Sequence, residues 1–288
     1  MLRHQRDYQS IAYLLALPLL VWLLWKLHLP TPLAILLYCL LIFFSMATGV
    51  IHHNHAHLGM WKNKYANRAT NFWICILQGH PTFVFYASHN ANHHRYHHGA
   101  KDLARTYRFG GDTNHLLGYL CHPFQALVVL YPLFLIWLSR IKKREKNVYW
   151  YCISQYVLVG LCWTALAFID AGKFLYLVLL PQLIGLHWLL AANYLQHAHA
   201  DGNSRINFAR NFEGRTNVLF FNIGLHTAHH LHPRAHWSQL PVLHRRYYEQ
   251  IDARLHAGSL RRYVWRTFIA SLFWVPWRSQ SLMKNQRQ

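Results

Sequence analysis

Four long apolar stretches of the chain have the length that spans a lipid bilayer. They contain almost no charged residue and occupy residues 11–27, 32–51, 148–169 and 174–194. A helix of about twenty apolar residues crosses a hydrocarbon core of about 30 Å. Only short turns separate the first stretch from the second and the third from the fourth. The pattern therefore predicts two transmembrane hairpins.

Three other apolar segments are predicted to lie along the membrane surface without crossing it. They occupy residues 71–88, 116–138 and 260–278. The segment 116–138 is interrupted by two prolines, which disturb a helix interior. The segment 260–278 mixes arginine with tryptophan and phenylalanine, which is typical of an interfacial belt. The expected fold is a single all-α integral membrane domain over residues 1–288, with four transmembrane helices, interfacial helices and a cytosolic cap.

The composition supports a membrane protein. Hydrophobic residues make up 53% of the 288 residues and charged residues only 13%, which is unusual for a soluble protein. The formal net charge is +20. The basic residues are spread along segments that border the membrane, which argues against nucleic-acid binding and favours contact with anionic lipid headgroups. The five cysteines lie in apolar stretches without CxxC spacing, so no zinc knuckle or redox dithiol is predicted.

The positions of the basic residues predict the orientation of the chain. In the two-hairpin arrangement, Lys26 and Lys173 are the only two of the 29 lysines and arginines on the far side of the membrane. Because lysine and arginine are enriched in cytoplasmic loops, both termini and the polar cap are predicted to be cytoplasmic, in the cell inner membrane. This arrangement requires that the segment 116–138 does not cross.

Histidines are the most informative polar residues, since sixteen of the 24 fall into four short clusters on the predicted cytoplasmic side. The clusters are His52, His53, His55 and His57; His89, His93, His94, His97 and His98; His197 and His199; and His226, His229, His230, His232 and His236. Residues three or four apart on a helix share a face, so several imidazoles of a cluster point the same way. A doublet of histidines spreads its rings by about 100° around a helix. Such doublets favour two adjacent metals over one.

The number and type of ligands narrow the kind of metal site. Imidazole binds zinc, copper, iron and nickel alike, but a zinc site is saturated by four protein ligands. Carboxylate-based di-iron bundles need glutamate ligands, whereas the chain has nine Asp and Glu in all and none inside a cluster. An all-histidine di-iron centre fits best. A metal transporter is disfavoured, because its ligands would lie along the predicted spans.

Four motifs of the chain resemble the histidine boxes of the membrane fatty acid desaturase and hydroxylase superfamily. They are HxxxH from His53 to His57, HxxxHH from His89 to His94, NxxxH from Asn193 to His197 and HxxHH from His226 to His230. Their order, their spacing and the two predicted hairpins agree with that superfamily over roughly residues 11–243. The stretch 222–241 is most similar to bacterial desaturase-like members, including alkene-forming ones.

The resemblance implies a non-haem di-iron centre with nine histidine ligands. They are His53, His57, His89, His93, His94, His197, His226, His229 and His230. Asn193 would reach the centre through a water molecule. The first box is ambiguous, because His52 with His57 gives HxxxxH while His53 with His57 gives HxxxH. We prefer His53, which is the helical i,i+4 partner of His57.

Other polar residues near the boxes are expected to orient ligand rings through hydrogen bonds instead of binding metal. These are His52, His55, His98, His199, Asp102 and Asp201. His97, His232 and His236 are expected to play a similar part or to lie at the membrane interface.

The same resemblance implies an oxygen-dependent attack on an unactivated C–H bond of a fatty acyl chain, with desaturation favoured and no catalytic group beyond the metal centre. Hydroxylation and terminal-alkene-forming decarboxylation would use the same boxes and are alternatives. A separate electron donor is expected, ferredoxin or a b-type cytochrome, because the chain has no nucleotide-binding GxGxxG unit. Candidates for lining an acyl groove are Phe72, Trp73, Phe83, Phe85 and Tyr86.

Overall fold

The computed structural model describes residues 1–108 and 111–283 and is mainly helical. The chain packs as two compact units, each assembled from two distant stretches. The first unit comprises Met1–Tyr86 and Leu135–Leu189, and the second comprises Ala87–Phe134 and Leu190–Gln288.

A pair of long apolar helices begins the first unit. α1 spans Tyr8–Lys26 and α2 spans Thr31–His57. The two helices pack through Tyr13, whose ring meets that of Phe44 edge to face at 4.9 Å. The helical prediction for both stretches is confirmed. Because α2 extends to His57, the whole first histidine cluster belongs to the same helix as the apolar stretch.

Two helices joined by a short turn follow α2. α3 spans Lys64–Gln78, and the Asn63 side chain begins it by accepting two backbone hydrogen bonds. Gly79 ends α3 with a φ of 71°, a left-handed conformation that favours glycine. α4 is made of three consecutive helical pieces, Phe83–Phe85, Tyr86–His93 and His94–Tyr96. The predicted surface hairpin at 71–88 therefore corresponds to the end of α3, the turn and the start of α4.

Buried polar groups fix the turn between α3 and α4. Gln155 accepts hydrogen bonds from the Thr82 hydroxyl at 3.2 Å and from the Phe83 backbone at 3.3 Å. His52 donates from Nε2 to the Thr82 carbonyl at 3.1 Å. The Cys75 sulfur accepts from the Thr82 backbone N–H. The turn thus joins three helices at the point where the chain enters α4.

Three more helices are long and apolar enough to cross a membrane: Leu116–Arg144 (α5), Lys146–Ile169 (α6) and Ala171–His197 (α7). Asp170 separates the last two and begins α7 by accepting a hydrogen bond from the Lys173 backbone. α6 and α7 confirm that the third and fourth apolar stretches are helical. α5 and α7 each contribute residues to both units.

α5 extends beyond the surface segment predicted at 116–138. It is one continuous helix that contains Pro123 and Pro132 and continues to Arg144. Prolines are tolerated in membrane helices, where neighbouring groups satisfy the carbonyls that they leave free. The described residues therefore contain five candidate spans, where the sequence predicted four.

Short elements build the rest of the second unit. They are β1 (Asn211–Glu213), α8 (Arg215–Leu219), α9 (His226–Leu231), α10 (Leu240–Tyr247), β2 (His256–Ser259) and α11 (Leu260–Val264). β1 and β2 pair in parallel, a small exception to the all-helical expectation. After α11, Trp265 and Phe273 are exposed, as an interfacial belt requires.

A buried arginine closes the C-terminal end of α7. The Arg210 guanidinium donates to the carbonyls of Leu195 and Ala198, at 2.9 Å each. It also lies over the ring of Tyr263 at 4.8 Å. The last carbonyls of a helix have no helical partner. Arg210 supplies these partners around His197, the last residue of α7.

Candidate metal centre

Four buried imidazoles meet in the second unit. They are His93 of α4, His197 of α7, and His226 and His230 of α9, and each has a ring nitrogen within 4.8 Å of the others. The Nε2 atom of His226 lies 3.1 Å from that of His197 and 3.1 Å from that of His230. His226 and His230 are one helical turn apart and so share a face of α9.

Hydrogen bonds fix the tautomer of two of these rings. His197 donates from Nδ1 to the Phe208 carbonyl at 2.8 Å, and His93 donates from Nδ1 to Oδ2 of Asp102 at 2.6 Å. A carbonyl or carboxylate oxygen only accepts, so Nδ1 carries the proton and Nε2 keeps its lone pair. Within the described residues, Nε2 of His93 is buried without a hydrogen-bond partner. Such a lone pair is available to a metal.

Asp102 is fully buried and organises the loop after α4. Besides the His93 ring, it accepts hydrogen bonds from the backbone N–H groups of His98 at 2.9 Å and Ala104 at 2.7 Å. Burial alone would raise the pKa of this carboxyl, but the His93 ring and the donated hydrogen bonds hold it below its usual value. The predicted orienting contact of Asp102 is therefore present in the structure, on His93.

A second group of rings in the same unit comprises His89, His94 and His229. The Nε2 atom of His94 lies 2.9 Å from that of His89 and 3.0 Å from that of His229. Helical spacing predicted that His89 and His93 share a face, and their ring centroids lie 5.1 Å apart. In addition, α4 is π-helical over Tyr86–His93, a geometry that relates residues five apart. His94 therefore faces His89, and His93 is turned to the first group.

The first unit contains the two histidines of the first box. The His53 and His57 rings lie 4.9 Å apart on one face of α2. His52 points elsewhere, because its Nε2 atom donates to the Thr82 carbonyl. This contact supports the HxxxH assignment. Phe85, a candidate for the acyl groove, packs on the rings of His52 at 4.9 Å and His53 at 5.5 Å.

Two of the other groove candidates, Phe83 and Tyr86, contact the same ring, that of Trp137. Phe83 is buried and stacks on Trp137 at 5.5 Å, and Phe72 meets Tyr151 edge to face at 5.3 Å. Tyr86 is 53% exposed. Phe83 thus belongs to the packed core of the first unit, and of the five aromatics Phe85 has the ring contacts with histidines.

The ring arrangement in the second unit fits a bound transition metal. Two nitrogen ligands at about 2.1 Å from one metal lie roughly 3.0–3.4 Å apart in right-angled or tetrahedral arrangements. The Nε2 pairs at 2.9–3.1 Å fall at the lower edge of that range. Burial, together with the nearby rings of His94 and His226, lowers the pKa of His230 well below its usual value. A neutral imidazole is the form that binds iron and related metals.

Several residues expected to orient ligands have specific partners. His98 stacks on His197 with a centroid distance of 5.2 Å. His55 accepts from the Met60 backbone at 3.1 Å and donates to the Asn67 carbonyl at 3.3 Å, so its ring fastens the loop after α2. Asp201 accepts from the Asn203 backbone at 2.9 Å within a tight turn.

Asn193 lies against the loop that contains Asp102. Its amide nitrogen donates to the Ala104 carbonyl at 2.6 Å and is 3.3 Å from Nε2 of His122. His122 is 1% exposed, and no sequence motif singles it out. His97 also lies closer to the proposed ligands than the sequence indicated. A ring nitrogen of His97 is within 4.8 Å of ring nitrogens of His94 and His230. The short spacing of His97 from His93 and His94 in the sequence was the signal that could have indicated this position.

Comparison with known proteins adds one match. A family model described as Fatty acid desaturase matches residues 27–262. The matched range covers most of the chain and includes all four histidine boxes. A search of curated proteins finds no significant match to the chain.

Proposed function

The chain belongs to the fatty acid desaturase family, and from this premise we propose that it is an oxygen-dependent di-iron enzyme acting on an unactivated C–H bond of a fatty acyl chain. Membership of the family makes it an integral membrane oxidoreductase. The observation that carries the proposal is the convergence of the buried rings of His93, His197, His226 and His230. Buried imidazole nitrogens that converge on one point are suited to a metal.

Nine histidines are proposed as the iron ligands, with Asn193 acting through a water molecule. They are His53, His57, His89, His93, His94, His197, His226, His229 and His230. Support comes from the two ring groups of the second unit, from the paired rings of the first box in the first unit, and from the resemblance of all four boxes to the superfamily.

Desaturation is the proposed outcome. The reaction converts CH2–CH2 to CH=CH and consumes one O2, two electrons and two protons, with release of two waters. Two bound irons would supply the oxygen reduction and the hydrogen abstraction. The protein's own part is to hold the rings. Asp102 and the Phe208 carbonyl fix the tautomers of His93 and His197, and burial of both rings excludes water.

Decarboxylation to a terminal alkene is the second candidate, because the stretch 222–241 resembles alkene-forming members. It converts R–CH2–CH2–COOH to R–CH=CH2 and CO2, with the same use of O2, electrons and protons and release of two waters. Hydroxylation would insert one oxygen atom and release one water. All three reactions need a separate one-electron donor, for which a ferredoxin or a b-type cytochrome is proposed, at a centre that faces the cytoplasm of an inner membrane.

Product analysis tests the proposal. The chain and its His93→Ala variant are expressed in one host under 18O2, and the lipids are examined by mass spectrometry. We expect a new double bond that is present with the parent chain and missing with the variant. An 18O-labelled alcohol would indicate hydroxylation, and a terminal alkene one carbon shorter would indicate decarboxylation. Identical lipids from both chains, with the parent fully loaded with iron, would overturn the proposal.

A further inference from the structure

The last described residues of the chain lie across the turn that follows α7. We name Ser279–Met283 the C-terminal strap. The Leu282 backbone N–H donates to the His199 carbonyl at 3.0 Å, and its side chain is buried in a cluster with Ala200 and Leu255. The Ser281 hydroxyl bonds to the Asp112 carboxylate. The strap is thus fastened through backbone, apolar and polar contacts.

His199 is held by the strap in an uncommon backbone conformation. Its φ is 63°, in the left-handed region that residues other than glycine rarely adopt, with asparagine, aspartate and histidine the more frequent exceptions. Its ring donates from Nε2 to the Asp112 carbonyl at 3.3 Å, which leaves Nδ1 to accept from the Ser279 hydroxyl at 2.9 Å. Strain of this kind persists only where surrounding contacts impose it. Here the strap supplies two of those contacts.

The contact of Ser279 with His199 is one route from the strap to the end of α7. A second route, meaning a chain of hydrogen bonds and ring contacts, also leads from Ser279 to the end of α7. The Asn114 amide nitrogen donates to the Ser279 hydroxyl oxygen at 2.9 Å and to the Tyr263 hydroxyl at 2.7 Å. The Tyr263 ring lies beneath the Arg210 guanidinium, which donates to the carbonyls on both sides of His197. A hydroxyl has one proton and two lone pairs, so Ser279 serves both routes at once.

Both routes end at the same residue of the proposed metal centre. His197 is the last residue of α7, and helix ends fray unless tertiary contacts hold them. A metal ligand needs placement to within about 0.5 Å. A residue that keeps the turn after His197 in place therefore affects how tightly the ring group holds a metal, although it touches no metal itself.

We infer that the C-terminal strap is part of the metal centre, with Ser279 and His199 as positioning residues that hold His197 toward His93, His226 and His230. The inference rests on the proposed metal-binding function. It assigns a role to a segment whose Ser279 is 80 residues from His199 in the sequence.

Cobalt(II) is a suitable probe, because its visible absorption reports the ligand geometry without any turnover. Metal-free protein is loaded with cobalt, and release to a chelator is followed. Ser279→Ala and a chain ended after Arg278 are expected to release cobalt about threefold to tenfold faster than the parent, with an altered spectrum. Ser271→Ala, at a buried serine of the same region, and a chain ended after Met283 are the controls. Both are expected to match the parent.

Variants at His199 separate ring contacts from backbone strain. His199→Asn keeps a residue that accepts a left-handed backbone, so we expect slower cobalt release than from His199→Ala. If Ser279→Ala releases cobalt at the parent's rate while Asp102→Asn releases it faster, the proposed role of the strap is wrong and the proposed metal centre is still supported. Failure of the parent to bind cobalt would overturn both. If the shortened chain does not fold, Ser279→Ala decides the outcome.

Discussion

The imidazole of His93 and the carboxylate of Asp102 form a buried hydrogen bond of 2.6 Å between Nδ1 and Oδ2. The two side chains are 1% and 0% exposed. The bond sets the tautomer of His93, so that its Nε2 lone pair faces the other rings of its group. Asp102 is in turn fixed by two backbone N–H groups, and the loop after α4 therefore determines the direction of a proposed ligand.

Asp102→Asn is expected to weaken metal binding by about tenfold to a hundredfold, which is the usual effect of removing a partner of a ligating histidine. The amide keeps the shape of the side chain but loses the charge that stabilises the protonated Nδ1. Titration with iron(II) or cobalt(II) measures the change. Asp252→Asn, which removes a carboxylate that is 26% exposed and bound to Arg254, is the matched control and should bind like the parent. If both variants bound the metal with equal affinity, the proposed role of the hydrogen bond between Asp102 and His93 would be wrong.

Iron content tests the number of metals. Nine proposed ligands are too many for one ion, so purified protein is expected to contain close to two irons per chain by elemental analysis. His93→Ala and His229→Ala should lower the iron content and abolish activity, because each removes a ring from a different group. A single zinc after expression in iron-rich medium would contradict the di-iron assignment.

Two histidines outside the boxes provide the controls for that experiment. His115 accepts a hydrogen bond from the Gly118 backbone at the start of α5, and His256 donates to the Tyr248 carbonyl. His115→Ala and His256→Ala are expected to leave iron content and activity unchanged. If these controls lose as much iron and activity as the box variants, the proposed ligands are not distinguished from other histidines of the chain.

How far the sequence predicts this structure depends on the range of the interactions involved. The spans and boxes follow local patterns, so α1, α2, α6 and α7 and the pairing of His226 with His230 were predictable from periodicity. The unbroken α5 helix was harder to predict, because its two prolines indicate a break in the helix.

Non-local features lay beyond what periodicity encodes. The π-helical backbone of α4, which pairs His89 with His94, has no simple sequence signature. The contact of His199 with Ser279 joins residues 80 positions apart, and the buried position of His122 likewise depends on packing. Such contacts arise from the fold as a whole, so spacing rules cannot anticipate them.

The topology of α5 can be tested by cysteine labelling. His93 and His197 lie in one ring group, and three candidate spans, α5, α6 and α7, separate them in the sequence. Residues on one side of a membrane are joined by an even number of crossings, so one of the three should not cross. Since basic residues from Arg140 to Lys146 lie where α5 meets α6, whereas Lys173 alone is basic where α6 meets α7, the enrichment of basic residues in cytoplasmic loops leads us to expect that α5 stays on the cytoplasmic side.

Single cysteines near the N-terminus, at Arg144 and near the C-terminus, in a background without the native cysteines, should therefore all be labelled from the cytoplasm. A cysteine at Lys173 is the opposite control and should be labelled only from the other side. Labelling of position 144 from outside would contradict the four-span arrangement.

Acid should destabilise the fold partly through His80. Burial lowers the pKa of this ring to about 4, and its bond to the Pro81 carbonyl offsets only part of the effect. The unfolded chain takes up a proton near pH 6.5, before the folded state does, so stability is lost as the pH falls from about 6.5 to about 4. The contribution of one such ring is at most about 3 kcal/mol.

Thermal unfolding in detergent at pH 7.5 and pH 5 measures this effect. His80→Asn removes the titrating group and should reduce the difference in Tm between the two pH values, whereas His28→Asn, at an exposed ring, should preserve it. A His80→Asn variant with the parent's full acid sensitivity would show that other groups account for the effect.

Asn193→Ala is expected to reduce turnover while leaving iron content nearly intact, because a neutral amide competes poorly with imidazole for iron and is proposed to act through a water molecule. Asn193→His should disturb oxygen activation by placing a ring in that position. The amide also donates to the Ala104 carbonyl in the Asp102 loop, so loosening of this loop is a competing explanation.

Asn92 bonds the same loop through the Leu103 N–H and the Lys101 carbonyl and therefore provides the matched control. If Asn92→Ala and Asn193→Ala lose equal activity, the role of Asn193 is to hold the loop. If only Asn193→Ala loses activity, with iron retained, the amide acts at the metal centre.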